Sequence, residues 1–157
     1  MTLLIDDALL DAVCAEAAAS PRRRKNRNFH PRDDFPAHRL LNAVQPDSYI
    51  PPHRHLDPDK DETFVVLRGL LGVVIFDDGG AVASATKVGA GGTAIGVDIP
   101  HGTWHSVIAL APDTVFLEAK AGPYRAPGAA ERASWAPAEN DPGAADYLAR
   151  IKARFAA

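Results

Sequence analysis

The chain holds a single cysteine, Cys14, among 157 residues. No disulfide can close within it, and nothing in it calls for an oxidising compartment. A surplus of one charge is also missing, since 17 basic and 20 acidic side chains leave a net charge of −3. A field that weak gathers neither nucleic acid nor an anionic membrane surface, so no partner of either kind is expected. No apolar run approaches the ~20 residues that a helix needs to cross a bilayer. The opening MTLLIDDALL carries no basic leader, and Asp6 and Asp7 cut short Leu3-Leu4-Ile5. A secretory signal is therefore not expected, and a cytoplasmic location is. Internal repeats are absent as well.

What is present is a 46% hydrophobic content, enough at this length for one core. A single domain over residues 1–157 is expected, made of an N-terminal helix with a basic segment (1–36), a β region (37–121) and a C-terminal wrap with a helix (122–157). Asp6 can cap a helix over residues 6–19 that places Leu9, Ala12, Val13 and Cys14 on one face, and Pro21 ends it. From residue 38 to 120, short β-type runs alternate with turn residues: 39–44, 63–68, 71–76, 82–88, 93–99, 103–110 and 114–120. Such a series predicts an all-β antiparallel sandwich or barrel. Asp77-Asp78-Gly79-Gly80 between two of the runs predicts a tight hairpin. AADYLARIKARF predicts a terminal helix over 144–155.

On an extended segment alternate side chains share a face, so His53 and His55 can reach one ion while Arg54 points the other way. Two exposed edge histidines is the plainer reading of that pair. Glu62 opens the next β run, and Pro100-His101-Gly102 makes a tight turn just before a third imidazole, His105. Three neutral imidazoles and one carboxylate are a borderline N/O donor set suited to a first-row divalent ion.

The order HxH(x6)E(x6)G, His53, His55, Glu62 and Gly69, followed by PxG(xx)H, Pro100, Gly102 and His105, resembles the two signature motifs of the cupin superfamily. That resemblance implies a small antiparallel, jelly-roll-like β-barrel in which His53, His55, Glu62 and His105 hold one divalent transition metal ion: Fe, Mn, Ni, Co, Cu or Zn. The family's glutamate more often follows the second histidine by three or four positions, which makes Asp59 a rival carboxylate. A narrower likeness runs through RRRKNRNFH, SYIPPHRH, ETFVVLRG, FDDGG, IPHGTWH, EAKAGPY and WAPAEN. It resembles the WbuC-type cupin-fold metalloproteins, short bacterial proteins whose genes often occur with surface-polysaccharide functions. The likeness implies fold and ligands and specifies no reaction.

Other residues complete the expected pocket. Arg22 to Arg27 hold five of the 17 basic side chains; they read either as a solvated linker or as a flap whose Arg24, Arg27 and Asn28, with His30 nearby, grip an anionic substrate. His101 is either a plain turn residue or a proton carrier beside His105. Tyr49 and Tyr124 either donate hydroxyls into the cavity or belong to the core. Trp104 alternates away from His105 and is expected to pack against the terminal segment or a second subunit, with Trp135 anchoring the tail. The near-continuous apolar runs 63–67 and 71–75 imply sheets covered on both sides, by a homodimer partner or by the terminal helices. The expected activity is a metal-dependent isomerase, epimerase or dioxygenase on a small anionic, sugar-related substrate; the alternative is a non-catalytic metal-dependent binding or sensor module.

Overall fold

The computed structural model describes residues 1–156. Helix α1 spans Asp7–Ala19, and the Asp6 side chain accepts the Leu9 N–H at 3.0 Å, satisfying one donor of its first turn. The buried stripe is Leu10, Val13, Cys14 and Ala17. It is set one position away from the face expected, because Leu10 turns in and Ala12 faces solvent. The stripe packs on Leu41, Ala43 and Val115.

Eight strands follow: β1 Arg24–Asn28, β2 Ala37–Val44, β3 Glu62–Arg68, β4 Leu70–Phe76, β5 Val82–Gly89, β6 Gly96–Ile99, β7 His105–Ala109 and β8 Thr114–Ala121. They form a five-stranded sheet in the order β1-β2-β8-β3-β6 and a three-stranded sheet in the order β5-β4-β7. Every ladder is antiparallel. Between the facing sheets lies an apolar layer of Val44, Phe64 and Phe116 from the larger against Leu71, Val73 and Val107 from the smaller. This is the all-β, jelly-roll-like architecture expected, with a short helix at either end.

Two turns show why the chain reverses where it does. Between β4 and β5 the Asp77 carboxylate accepts the N–H groups of Gly79 and Ala81 at 2.9 and 2.8 Å, and Gly80 takes a φ of +88°. Between β3 and β4 Gly69 sits at φ +79°, and a Cβ there would lie 2.5 Å from Thr114 Oγ1 and 2.9 Å from Thr114 Cα. Only glycine meets both demands.

The second cover of the smaller sheet comes from the same chain. Helix α2, Ala144–Lys152, and a 3-10 turn over Ala153–Phe155 lay Tyr147, Leu148, Ile151 and Phe155 on Val74, Phe76 and Ile108. Gly72 makes room, since a Cβ on it would stand 2.6 Å from Phe155 Cζ. Trp135 packs on Phe76 and Trp104, with centroids at 5.1 and 5.9 Å. β4 is therefore buried on both faces by intrachain contacts alone.

β1 has no counterpart among the β runs read from the sequence. RKNRN lacks any apolar alternation, yet it pairs with β2 from Arg24↔Val44 to Asn28↔Leu40. It is an edge strand whose side chains beyond Arg24 are exposed, so its backbone is held by the ladder while its composition is set by water.

Candidate metal centre

The segment carrying His53 and His55 is extended without being a full strand. His53 is joined to the first residue of β7 by a two-bond bridge, His53 N to His105 O at 3.0 Å and His105 N to His53 O at 2.9 Å. This pairing, at the β7 edge of the smaller sheet, brings the two motifs together. Arg54, on the opposite face, lies 4.3 Å over the Trp104 ring. Glu62 enters from the start of β3. One donor atom from each of His53, His55, Glu62 and His105 lies within 4.8 Å of all the others. Asp59, the rival carboxylate, is exposed and lies outside the cluster.

The rings are turned to present lone pairs inward. Nδ1 of His53 donates to Pro51 O at 3.0 Å, and Nδ1 of His105 donates to Thr103 O at 2.9 Å. A ring that donates from Nδ1 has an unprotonated Nε2 when neutral. His55 Nε2 lies 3.0 Å from Glu62 Oε1, and His105 Nε2 lies 2.9 Å from Glu62 Oε2. Even so, His55 Nε2, Glu62 Oε2 and His105 Nε2 are buried with no aligned hydrogen-bond partner. Buried polar atoms are rarely left so. Donors about 3 Å apart that point at a shared centre rather than at each other fit a cation with ligand distances of roughly 2.1 Å.

The electrostatics agree. Burial, then the neighbouring His105, pushes the His53 imidazole down to about 3, so it stays neutral and able to ligate. Burial alone would raise the Glu62 carboxyl, but His105, His55 and Lys120 outweigh it and hold Glu62 far below the usual carboxylate range. It is an anion at neutral pH.

The four donors open onto a cavity of about 860 Å³ lined in part by Arg24, Lys60, Glu118, Lys120, Tyr124 and Arg125. Of the residues expected to grip an anion, only Arg24 reaches it; Arg27 and Asn28 are exposed on β1, and His30 stacks on His38 at 3.9 Å. Arg24 is already engaged, with Glu139 at 2.9 Å and the Tyr49 carbonyl at 3.2 Å. Of the expected proton carriers, Tyr124 stands at the rim, 58% exposed. His101 sits outside the cavity on the turn, its N–H and Nδ1 both 2.8 Å from Asp61 Oδ1. Tyr49 is in the core behind the smaller sheet, and its hydroxyl donates to Pro137 O at 2.8 Å.

The sequence reading passed over the polar wall that β8 supplies. Lys120 Nζ lies 3.1 Å from Glu62 Oε1 and 2.7 Å from Glu118 Oε1, and Asn42 Nδ2 donates to Glu118 Oε2 at 2.7 Å. Burial raises the Glu118 carboxyl. The signal was present in FLEAK, where Phe116, Glu118 and Lys120 alternate on one face: charge at period two, following an inward aromatic, marks a strand facing a polar cavity.

An antiparallel jelly-roll with three histidines and a glutamate converging in its cavity defines a cupin-fold protein with a site shaped for a divalent metal ion. The structure of KdgF from Halomonas sp. is similar, with a TM-score of 0.51 at 18% identity over 68% of this chain and 84% of that one. A conserved protein of unknown function from Streptococcus pyogenes gives 0.52 at 13% identity, over 80% and 91% of the two chains. An RmlC-like cupin protein from Desulfovibrio desulfuricans gives 0.46 at 20% identity, over 62% and 81%. At such identities the likeness to the first two is one of fold. Residues 5–88, more than half of the chain, match the family described as a domain of unknown function (DUF6016), and the chain belongs to that family. No curated protein matches it.

Proposed function

We propose that this protein is a metal-dependent cupin enzyme of the WbuC type, acting as an isomerase, epimerase or dioxygenase on a small anionic, sugar-related substrate in cytoplasmic steps of surface-polysaccharide metabolism. The observation that carries the reading is the set of buried, unpartnered donor atoms on His55, Glu62 and His105 at the floor of a cavity large enough for a monosaccharide. A divalent transition metal bound there would polarise a substrate carbonyl or hydroxyl or, if redox-active, support oxygen chemistry. Lys120 fixes Glu62 Oε1 while its charge is shared with Glu118. Glu118, raised by burial and held by Asn42, is placed to keep or release a proton at its carboxyl beside the substrate. Val44, Ile50 and Phe116 give the cavity an apolar wall that excludes water from one side of the ligand.

A second reading, a binding or sensor module without turnover, is favoured by one observation: two of the three expected proton carriers, His101 and Tyr49, lie outside the cavity, and the third, Tyr124, stands only at its rim. Incubating metal-loaded protein with uronic acids, keto acids and nucleotide sugars, followed by NMR of the small molecules, separates the two. Conversion of one of them supports the enzyme. A compound that stabilises the protein and is recovered unchanged supports the module.

A further inference from the structure

Six cationic side chains line the cavity: Arg22, Arg24, Lys25, Lys60, Lys120 and Arg125. Most already have a countercharge. Arg22 and Arg24 share Glu139 at 2.8 Å, Lys25 meets Glu16 at 3.4 Å, and Lys120 lies between Glu62 and Glu118. Lys60 and Arg125 differ. Among the described residues no carboxylate comes within salt-bridge distance of either.

Lys60 is 8% exposed. Its ammonium donates to the carbonyls of Ala121 and Pro123 at 3.0 and 2.6 Å. An ammonium has three N–H donors, so one donor is left over, and Asp57 and Glu131 attract the charge only from beyond salt-bridge distance. A buried cation whose countercharges stand off at this range is costly, and an anion that displaced water beside it would recover part of that cost. The two carbonyls that Lys60 holds belong to the segment that immediately precedes Tyr124 and Arg125. The same contacts fix the backbone just ahead of Tyr124 and Arg125, two exposed residues that also line the cavity.

We propose that Lys60, Arg125 and Tyr124 form the acid-binding subsite of the cavity, and that its ligand is a monocarboxylate of sugar size. This rests on the reading of the site given above, and names the class and docking end of its substrate. A monoanion is favoured over a phosphate dianion because Asp57 and Glu131 also line this side of the cavity; each added negative charge on the ligand meets their repulsion as well as the attraction of the two cations. With its acid group at this rim, a ligand extends its hydroxyls inward toward Lys120 and the histidine cluster. The guanidinium and the third ammonium N–H provide charge-assisted hydrogen bonds, and the phenol of Tyr124 a neutral one.

The test is calorimetric titration of metal-loaded protein with glucuronate, glucose and glucose 6-phosphate. Glucuronate should bind at least about tenfold more tightly than glucose, the effect of one charge-assisted hydrogen bond, and more tightly than the phosphate. Arg125→Gln, which leaves the Lys60 contacts to the backbone intact, should weaken glucuronate about tenfold and leave glucose unchanged. Lys60→Met should weaken it further, and Lys25→Met should not. The His55→Ala protein, stripped of metal, should retain the sensitivity to Arg125→Gln, so the subsite can stand or fall apart from the metal centre. Glucuronate binding no better than glucose, full glucuronate affinity in both Arg125→Gln and Lys60→Met, or tighter binding of glucose 6-phosphate would each overturn the proposal.

Discussion

His53 and His105 each spend Nδ1 on a carbonyl two residues away, Pro51 and Thr103, and that local bond decides which nitrogen faces the cavity. For His53 the cost of enclosure appears as a pH effect. Its folded-state imidazole titrates near 3, whereas in the unfolded chain it titrates near ~6.5. Between those values the unfolded state holds the extra proton, so folding stability present above about pH 6.5 is lost as pH falls toward 3. In chelator-treated protein this contributes a slope of up to about 1.4 kcal/mol per pH unit. Urea unfolding at pH 7, 6 and 5 should therefore show a steeper decline in the native protein than in His53→Gln, and equal slopes would contradict the assignment. Gly69 is the other residue on which geometry turns. Gly69→Ala forces a Cβ onto Thr114 at a positive φ and should cost about 2 kcal/mol, read by the same unfolding experiment.

At the scale of elements, β1 is tied down by charge. Glu139, from the C-terminal wrap, receives Arg22 at 2.8 Å through two guanidinium nitrogens and Arg24 at 2.9 Å. These hydrogen bonds, those from Arg22 first, pull the Glu139 carboxyl down to about 2. A lowered carboxyl contributes stability that is complete above its unfolded value of ~4.3 and lost as pH falls through about 2. The clamp is partly exposed, so Glu139→Gln should cost no more than about 1 kcal/mol at pH 7. The difference from the native protein should shrink toward zero near pH 2, and amide exchange in Arg24–Asn28 should quicken before that of β2. Unchanged exchange in β1 would show that its ladder holds without the clamp. Legibility followed the same division. The β runs of β2, β3, β4, β5 and β8 were readable to within two residues because they are short stretches rich in β-branched and apolar residues bounded by turn residues. β1 was not, since nothing apolar marks an edge strand. β8 gave up its boundaries but not its role: its polar face was passed over among apolar neighbours, and Lys120 and Glu118 with it. His53, His55, Glu62 and His105 were legible as residues, while their convergence depends on the bridge between His53 and His105, a contact across 52 positions of sequence that no local pattern encodes.

For the whole molecule, the site and the tail sit on opposite faces of the smaller sheet and share its strands. β7 starts with His105 and continues to Ile108, which packs in the layer beneath Tyr147 and Leu148. Removing the Phe155 ring from Gly72 and its neighbours should cost about 3 kcal/mol in a Phe155→Ala variant, by lost transfer and the cavity left behind, measured as a shift of the urea midpoint. A loss below about 1 kcal/mol would mean that the tail is not a cover of this sheet. The central claim concerns the other face, and elemental analysis of protein purified without chelators or metal-binding tags tests it most directly. The account predicts about one first-row transition metal ion per chain, retained in Asp59→Asn and lost in His55→Ala and in His105→Ala. A folded native protein that takes up no such ion when one is supplied, or histidine variants that keep it, would contradict the account.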